Sequence, residues 1–436
     1  MSSVYPRSRW NLFAFGSDTI LFSIAYSGFL NPTVIIPAFL AMTGASTTIV
    51  GLVLTLINLA WSLPQFVGGN VLGRFPKKKP VVLTAAIGGR IFVPCFVILL
   101  AMTGGNPPGL MSVALCVALM IFLCGDGFAT IGWLDMLTRA FPSEKRGSYI
   151  AIWQAVSSVG ILGASALVTL VLANNGPAFP QNYMIIFGCG AIMFFMSILG
   201  SISIREPPPA EGAPATINVP WGDLATHLLA IWRNDSRLRK LASARVVFSF
   251  AMMAFPFFAL YATDVLHLPT DVLGQFIGAQ TVGTMIGGLL LGRVADRYGP
   301  HRSIQIGALI MLTTPILGLV MSTRSWWMTS WLNWIYIWIY IATGLVNNLL
   351  FLGFGSYLMD ISPSGQRTIY IGAVNAINSI GVVAPLVAGW LLTVSSYSVL
   401  FVVTLVCCLV ALVMVLRLPH SRQEVIIPSA LDRAPR

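Results

Sequence analysis

The sequence predicts an all-α membrane protein: twelve transmembrane helices in two pseudo-symmetric six-helix bundles. Three observations carry that reading. The 436 residues are 56% hydrophobic and only 9% charged, with a mean hydropathy of +0.83, whereas soluble domains carry about 25% charged residues. Apolar runs of bilayer length recur twelve times along the chain. Lysines and arginines gather in alternate connections between those runs. Too little charge is present to cover a soluble globule, which excludes a soluble enzyme, a nucleic-acid binder and a disordered regulator.

Crossing a bilayer takes about 20 mostly apolar residues. The runs fall at 15–39, 48–72, 81–103, 110–133, 148–172, 183–204, 244–264, 272–292, 303–321, 331–358, 369–394 and 397–416. Lipid offers no water to open backbone groups, so each run is read as a helix. Pro37, Pro64, Pro94, Pro256, Pro315 and Pro385 fall inside these runs, as polytopic proteins tolerate. The first run is too long for a cleavable signal peptide, contains Asn31-Pro32 and has no small-residue cleavage site.

With the N-terminus inside, the inner connections and both tails carry 22 of the 25 Lys and Arg residues. The clusters are Arg74-Lys77-Lys78-Lys79, Arg139-Lys145-Arg146, Arg233-Arg237-Arg239-Lys240 and Arg293-Arg297-Arg302. The outer loops carry only Arg324, Arg90 lies within a run, and Arg245 sits at the edge of one. This positive-inside bias predicts a multi-pass protein of the plasma membrane with both termini cytoplasmic. The formal charge of +11 is therefore topological, and its dispersal over many short turns argues against a nucleic-acid partner. Trp326, Trp327 and Trp331 flank the outer end of the tenth run like an interfacial aromatic belt. All six cysteines fall in apolar runs as small hydrophobes, with no disulfide framework and no metal-ligand spacing. Neither a cofactor nor a metal is expected.

The two halves repeat. Gly68-Gly69-Asn70-Val71-Leu72-Gly73-Arg74 matches Gly287-Gly288-Leu289-Leu290-Leu291-Gly292-Arg293, an offset of 219. Pro142-Ser143, Arg146, Tyr149-Ile150, Ala155, Ser158 and Gly160 match Pro363-Ser364, Arg367, Tyr370-Ile371, Ala376, Ser379 and Gly381, an offset of 221. The expected organisation is an N-terminal bundle over 1–204, a cytoplasmic linker over 205–243, a C-terminal bundle over 244–416 and a cytoplasmic tail over 417–436. The linker opens Arg205-Glu206-Pro207-Pro208-Pro209 and contains an amphipathic piece with Leu224, Leu228, Ile231 and Trp232.

The run Gly292-Arg293-Val294-Ala295-Asp296-Arg297-Tyr298-Gly299-Pro300-His301-Arg302 resembles the loop signature of the major facilitator superfamily (MFS). It stands at the inner end of the eighth run, where that family has its second copy. The first-half copy, Gly73-Arg74-Phe75-Pro76-Lys77-Lys78-Lys79, lacks the Asp and the second Gly. Thr43-Gly44-Ala45-Ser46 and Leu63-Pro64-Gln65 are similar to a bacterial branch with no settled substrate. The resemblance implies a secondary transporter with a small-molecule substrate, alternating access between two bundles, a proton as candidate coupling ion, and a monomer in the bilayer.

Charges inside spans cost about 2.5–3.5 kcal/mol each at the helix centre, so Asp18, Arg90 and Asp126 stand out. Arg90 and Asp126 lie at similar depths, within reach of pairing. Two readings stand: a structural ion pair, or Asp126 as a protonatable or substrate-contacting group on the fourth span, which lines the path in the superfamily. Asp18 is placed nearer the inner edge of the first span, as a weaker candidate. The repeat puts Asp126 opposite Asn347, Gln154 opposite Asn375, and Ser157 opposite Asn378. By the resemblance, Asn347, Asn375, Asn378, Gln154 and Gln280 are substrate hydrogen-bonding groups, the alternative being interhelical bonds of about 0.6 kcal/mol. Phe250, Phe257, Phe258, Tyr261 and Trp153 are either apolar walls of that path or ordinary packing.

The signature residues Gly292, Asp296, Arg297 and Gly299 form the candidate gating loop. A carboxylate is stabilised at a helix N-terminus, so Asp296 is expected to latch onto the start of the fifth span, near Arg146 and Gly147, in one conformation; a fixed turn is the alternative. Arg146 and Arg367 are gating groups or topological anchors. A membrane enzyme is the rival from another class, yet no His lies within a run and no P-loop or GxSxG elbow occurs. A non-transporting receptor on a transporter fold is the remaining alternative. The few intramembrane charges favour a neutral or weakly charged substrate over a multiply charged anion, and the sequence leaves import and export open.

Overall fold

In the computed structural model, residues 8–73, 75, 77–206, 232–323, 331–362 and 367–420 are described. Arg74, Arg324, Trp326, Trp327, Pro363 and Ser364 lie outside the described residues, as do linker residues 207–231 and the tail from 421. Arg367 opens a helix, and its side chain also lies outside the description. The described residues form helices and turns, with no β-strand among them.

The helices group into twelve rods. The first half contains α1 (Ser8–Ser23, a π-helical Ile24–Phe29 and, after a break, Ile35–Met42), α2 (Thr47–Gly73), α3 (Lys79–Arg90 and Phe92–Thr103), α4 (Pro108–Ala140), α5 (Ser143–Leu172) and α6 (Gln181–Ser203). The second contains α7 (Ser236–Ala251, Phe255–Leu260 and π-helical Tyr261–Val265), α8 (Val272–Tyr298), α9 (Pro300–Ser322) and α10 (Leu332–Asn348, π-helical Leu349–Gly353 and Phe354–Ile361). It ends with α11 (Arg367–Asn378, Gly381–Val383 and Ala384–Val394) and α12 (Tyr397–Leu416). Among the described residues, 10 helices are long and apolar enough to cross a membrane. The rods at α8 and α10 complete the set: α8 carries Gln275, Gln280 and the charged signature residues, and α10 is interrupted.

Prolines explain the breaks in α1 and α3. Pro32 has no N–H, and the α1 helix breaks around it; the Asn31 carbonyl then receives the N–H groups of Ile35 and Ile36 at 3.0 and 3.1 Å. Pro94 cannot donate to the carbonyl of Arg90 four residues back, and α3 breaks at Ile91. Pro315 stays inside α9 because the Thr314 hydroxyl donates to the Met311 carbonyl at 3.0 Å, the acceptor that the proline leaves.

Packing repeats as the sequence does. In the first half α2 packs on α4, α1 on α6 and α5, and α3 on α4; in the second half α8 packs on α10, α7 on α12 and α11, and α9 on α10. Gly68 lies against Phe128 and Ile131 of α4, and its counterpart Gly287 lies against Leu345 of α10. Gly160 of α5 lies against Ile24 of α1, and its counterpart Gly381 of α11 against Ser249 of α7. Large apolar side chains such as Ile98, Met102, Phe195, Val402 and Val406 remain exposed on α3, α6 and α12, as lipid-facing surfaces require. The halves meet where α5 packs on α8, where α2 packs on α11, and where Ile35–Met42 of α1 packs on Phe255–Leu260 of α7.

The α8–α10 crossing is the tightest to test. A Cβ on Gly283 would stand 2.0 Å from the Ile341 carbonyl oxygen. Gly283→Val is expected to cost at least about 1–3 kcal/mol by overpacking, lowering the unfolding temperature in detergent by several degrees. Gly163→Val, where an added Cβ meets nothing within 4 Å, is expected to leave that temperature nearly unchanged.

Candidate functional site

The predicted intramembrane charges come together in the first half. α3 and α4 approach through glycines adjacent to the charges: a Cβ on Gly125 would stand 2.5 Å from the Ala85 carbonyl oxygen. That approach brings Arg90 to Asp126, with Nη2 and Nε donating to Asp126 Oδ1 at 2.8 and 3.1 Å. Arg90 Nη1 donates to Ser197 Oγ of α6 at 3.0 Å and to Asp18 Oδ1 of α1 at 3.4 Å. Ser197 Oγ donates to Asp18 Oδ1 at 2.6 Å, and Trp133 Nε1 donates to Asp18 Oδ2 at 2.9 Å. The Phe22 ring covers the guanidinium at 5.0 Å. Asp18 is 4% exposed, as buried as Asp126 at 5% and Arg90 at 6%. It sits deeper than its place in the sequence suggested because α1 starts at Ser8, well before residue 15. Four helices thus share one cluster of two carboxylates and one guanidinium.

A second polar group lies between the halves. A cavity of about 230 Å³ is lined by Tyr26, Asn31 and Thr33 of α1, Ser158 of α5, Gln280 of α8 and Asn347 of α10, among others. Asn31 Nδ2 donates to Gln280 Oε1 at 3.0 Å, and Gln280 Nε2 donates to Thr33 Oγ1 at 3.2 Å. Gln280 and Asn347 were expected on the path. Asn31, Thr33 and Tyr26 were not singled out, although a polar residue beside a helix-breaking proline in an apolar span was the available signal. A larger, shallow apolar groove near Trp334 and Trp338 lies on the outer surface of α9 and α10.

The remaining bonds between halves run along the same end of the molecule, away from the basic clusters. Thr47 Oγ1 of α2 donates to the Gly389 carbonyl of α11 at 3.0 Å, and the hydroxyls of Thr48 and Thr393 lie 2.6 Å apart. Leu386 N donates to Thr55 Oγ1 at 3.2 Å, and Thr270 Oγ1 donates to the Leu172 carbonyl at 2.9 Å. Toward the basic end, Gln154 and Asn347 are exposed and Asn375 and Asn378 partly so. Asn375 and Asn378 face α7: Asn375 Oδ1 accepts from Arg245 Nη1 at 3.4 Å and Asn378 Oδ1 from Ser249 Oγ at 3.2 Å. Arg245 lies well inside α7 rather than at its edge, because that helix starts at Ser236.

Apart from Arg367 at the start of α11, the candidate gating residues lie on two elements, the end of α8 and the start of α5. Asp296 and Arg297 are exposed at the basic end of α8, where Gly299 turns the chain with φ 91°. Arg146 folds back on α4, donating to the carbonyls of Phe141 and Thr138 at 2.7 and 2.6 Å. In the first half, Glu206 brings a carboxylate to the α2–α3 connection, which carries no acid of its own. Its carboxylate accepts the N–H groups of Lys78 and Lys79 at 2.6 and 3.1 Å, at the start of α3, and lies 3.5 Å from Arg139. That group comes from beyond α6, out of register with the repeat. The aromatic candidates pack: Phe257 and Phe258 are fully buried, Phe258 stacks on Phe401, and Trp153 lies against Gly16.

Removing one partner of a buried ion cluster typically costs about 3–5 kcal/mol. Arg90→Met leaves Asp18 and Asp126 without their cation, and a melting temperature far below the parent's is expected in detergent. Arg90→Lys, which keeps the charge, is expected to lose less.

The pattern of the Major Facilitator Superfamily matches residues 19–351 and 241–435. A search of curated proteins gives no match. Among solved structures, a D-xylose–proton symporter aligns with a TM-score of 0.70 at 14% identity, covering 97% of this chain and 100% of that one. A bacterial homologue of the iron transporter ferroportin, in an inward-facing state, aligns with a TM-score of 0.69 at 13% identity, covering 95% and 98%. The nucleoside transporter NupG aligns with a TM-score of 0.67 at 13% identity, covering 93% and 98%. With the family pattern spanning nearly the whole chain and its fold shared with these transporters, this multi-pass membrane protein belongs to the Major Facilitator Superfamily.

Proposed function

We propose that the chain is a secondary active transporter that moves a small solute across the plasma membrane by alternating access, with both termini in the cytoplasm. The observation that carries this reading is the one-sided seam. Hydrogen bonds between the halves cluster at the end away from the basic loops, while polar side chains on α5, α10 and α11 are accessible from the basic end. The positive-inside rule makes the basic end cytoplasmic, so this arrangement corresponds to an inward-open state. The halves 1–204 and 244–416, joined by 205–243, then move as two bodies about the cavity between them, within a monomer.

Amides and hydroxyls line the cavity, which suits a polar solute held by hydrogen bonds. Gln280, Asn31 and Thr33 close its outer side, and Asn347 faces it from α10. Opening outward requires the Asn31–Gln280 and Thr48–Thr393 contacts to part. Closure of the basic end then brings Asp296 and Arg297, with Gly292 and Gly299 shaping their loop, toward the start of α5 at Arg146; Arg367 begins the equivalent helix. The Asp18–Arg90–Asp126 cluster is the coupling element. Two carboxylates against one guanidinium leave one formal negative charge, which one proton cancels, and intramembrane acids of this kind mark proton relays. One of the similar structures is named a proton symporter, in line with that reading.

A ligand-induced thermal-shift screen over sugars, nucleosides, amino acids and small acids identifies the solute for proteoliposome assays. Asp126→Asn is expected to lose proton-driven accumulation while keeping exchange of labelled for unlabelled solute; undiminished accumulation would remove the coupling role. Cysteines replacing Thr48 and Thr393 are expected to lock the seam on cross-linking, stopping uptake reversibly on reduction. Full uptake by the cross-linked protein would overturn alternating access at this seam.

A further inference from the structure

The two halves handle charge differently. In the first, Arg90 is neutralised by acids. In the second, Arg245 lies within α7, nine residues past Ser236 and hence about 14 Å along the helix. Among the described residues no carboxylate forms an ion pair with it. Its Nε is buried without a hydrogen-bond partner, and the only described side-chain acceptor of its Nη1 is Asn375 Oδ1, at a long 3.4 Å.

The neighbouring amides are oriented by their own bonds. A guanidinium only donates, so Asn375 turns its oxygen to Arg245 and its Nδ2 away. Ser249 Oγ donates to Asn378 Oδ1 at 3.2 Å, which leaves the Asn378 Nδ2 free to point elsewhere. The Ser249 hydroxyl is shared between Asn378 Oδ1 at 3.2 Å and the Arg245 carbonyl at 3.1 Å, and each amide oxygen lies within a bond of the cluster, while the guanidinium and the two amides bring N–H donors in excess of the acceptors among them. A positively charged cluster with an excess of donors fits an acceptor-only ligand, and a carboxylate is a small common one.

Position makes the cluster reachable. The far half of α11 packs on α2, and its near half, which carries Asn375 and Asn378, packs on α7. Both asparagines are partly exposed. On α2, Asn58 and Ser62 continue inward the face that Gly51 and Thr55 present to α11, and Asn58 is exposed. The cluster thus borders the opening where α11 departs from α2.

We propose that Arg245, Asn375 and Asn378 form an anion subsite that takes the carboxylate of a monoanionic solute. This rests on the transport reading above and names the solute's chemistry. The test uses full-length protein in phosphatidylcholine nanodiscs, with acetate, lactate and benzoate against acetamide, lactamide and benzamide, read by thermal shift and by binding of the labelled acids. At least one acid is expected to bind, its amide is not, and Arg245→Gln is expected to weaken the acid by about tenfold to a hundredfold. Arg245→Lys retains part of the affinity, and Asn378→Ala, which leaves the charge in place, gives an intermediate loss should Arg245→Gln fail to fold.

Binding of no acid, equal binding of acid and amide, or acid binding unchanged by the variants overturns the proposal. So does protection of the parent, but not of Arg245→Gln, by phosphatidylglycerol alone, which assigns the site to a lipid headgroup. Arg245-dependent acid binding without accumulation of any solute in proteoliposomes supports the subsite and overturns the transport reading. Accumulation of a neutral solute with no acid binding overturns the subsite and leaves transport standing.

Discussion

A charge held inside a bilayer needs its counter-charge within the protein, and that constraint organises the first bundle. Arg90 draws Asp126 from α4, Asp18 from α1 and Ser197 from α6 into one network, with Trp133 closing the far oxygen of Asp18. Four of the six helices are thereby tied at one depth. The glycines beside Arg90 and Asp126 are what allow α3 and α4 to come close enough for bonds of 2.8 and 3.1 Å. Breaking the network would strand formal charge in a medium that cannot hydrate it.

The second bundle copies the architecture without copying that network. Equivalent glycines receive equivalent helices, as at Gly160 on Ile24 and Gly381 on Ser249. Yet among the described residues Arg245 has no ion-pair partner and donates to Asn375, while Ser249 and Asn378 bond beside it. Duplication has preserved the packing, which depends on shape, while the charges have diverged, because each is fixed by a handful of side chains. The result is a first bundle whose buried arginine is paired with two acids, and a second whose Arg245 is bonded to an amide.

Between the bundles the contacts are of another kind. Threonine hydroxyls, backbone carbonyls and the Asn31–Gln280 pair make the seam. Each such bond contributes about 0.5–1.5 kcal/mol net, whereas removing one partner from a buried ion network costs about 3–5 kcal/mol. Close helix packing accompanies these bonds, as at Gly51 against Pro385 and Gly274 against Ser165 and Thr169, so the seam combines shape with hydrogen bonds and holds no ion pair among the described residues.

The sequence by itself determined the membrane class, the number and order of the helical rods, the duplication and the family, because hydropathy, basic-residue spacing and repeat offsets are properties of the chain order. It also marked Arg90 and Asp126 as partners, since equal depth in neighbouring spans is readable from residue counts. Only the tertiary structure decided that Asp18 joins them, because the start of α1 at Ser8 and the fold of α1 against α6 and α4 are set by packing. Glu206 at the α2–α3 connection, and Asn31 and Thr33 meeting Gln280, were likewise decided in space: their partners lie on average more than a hundred residues away, and no local pattern encodes that distance. The placement of Arg245 beside Asn375 is of the same kind, since the two lie 130 residues apart in the chain.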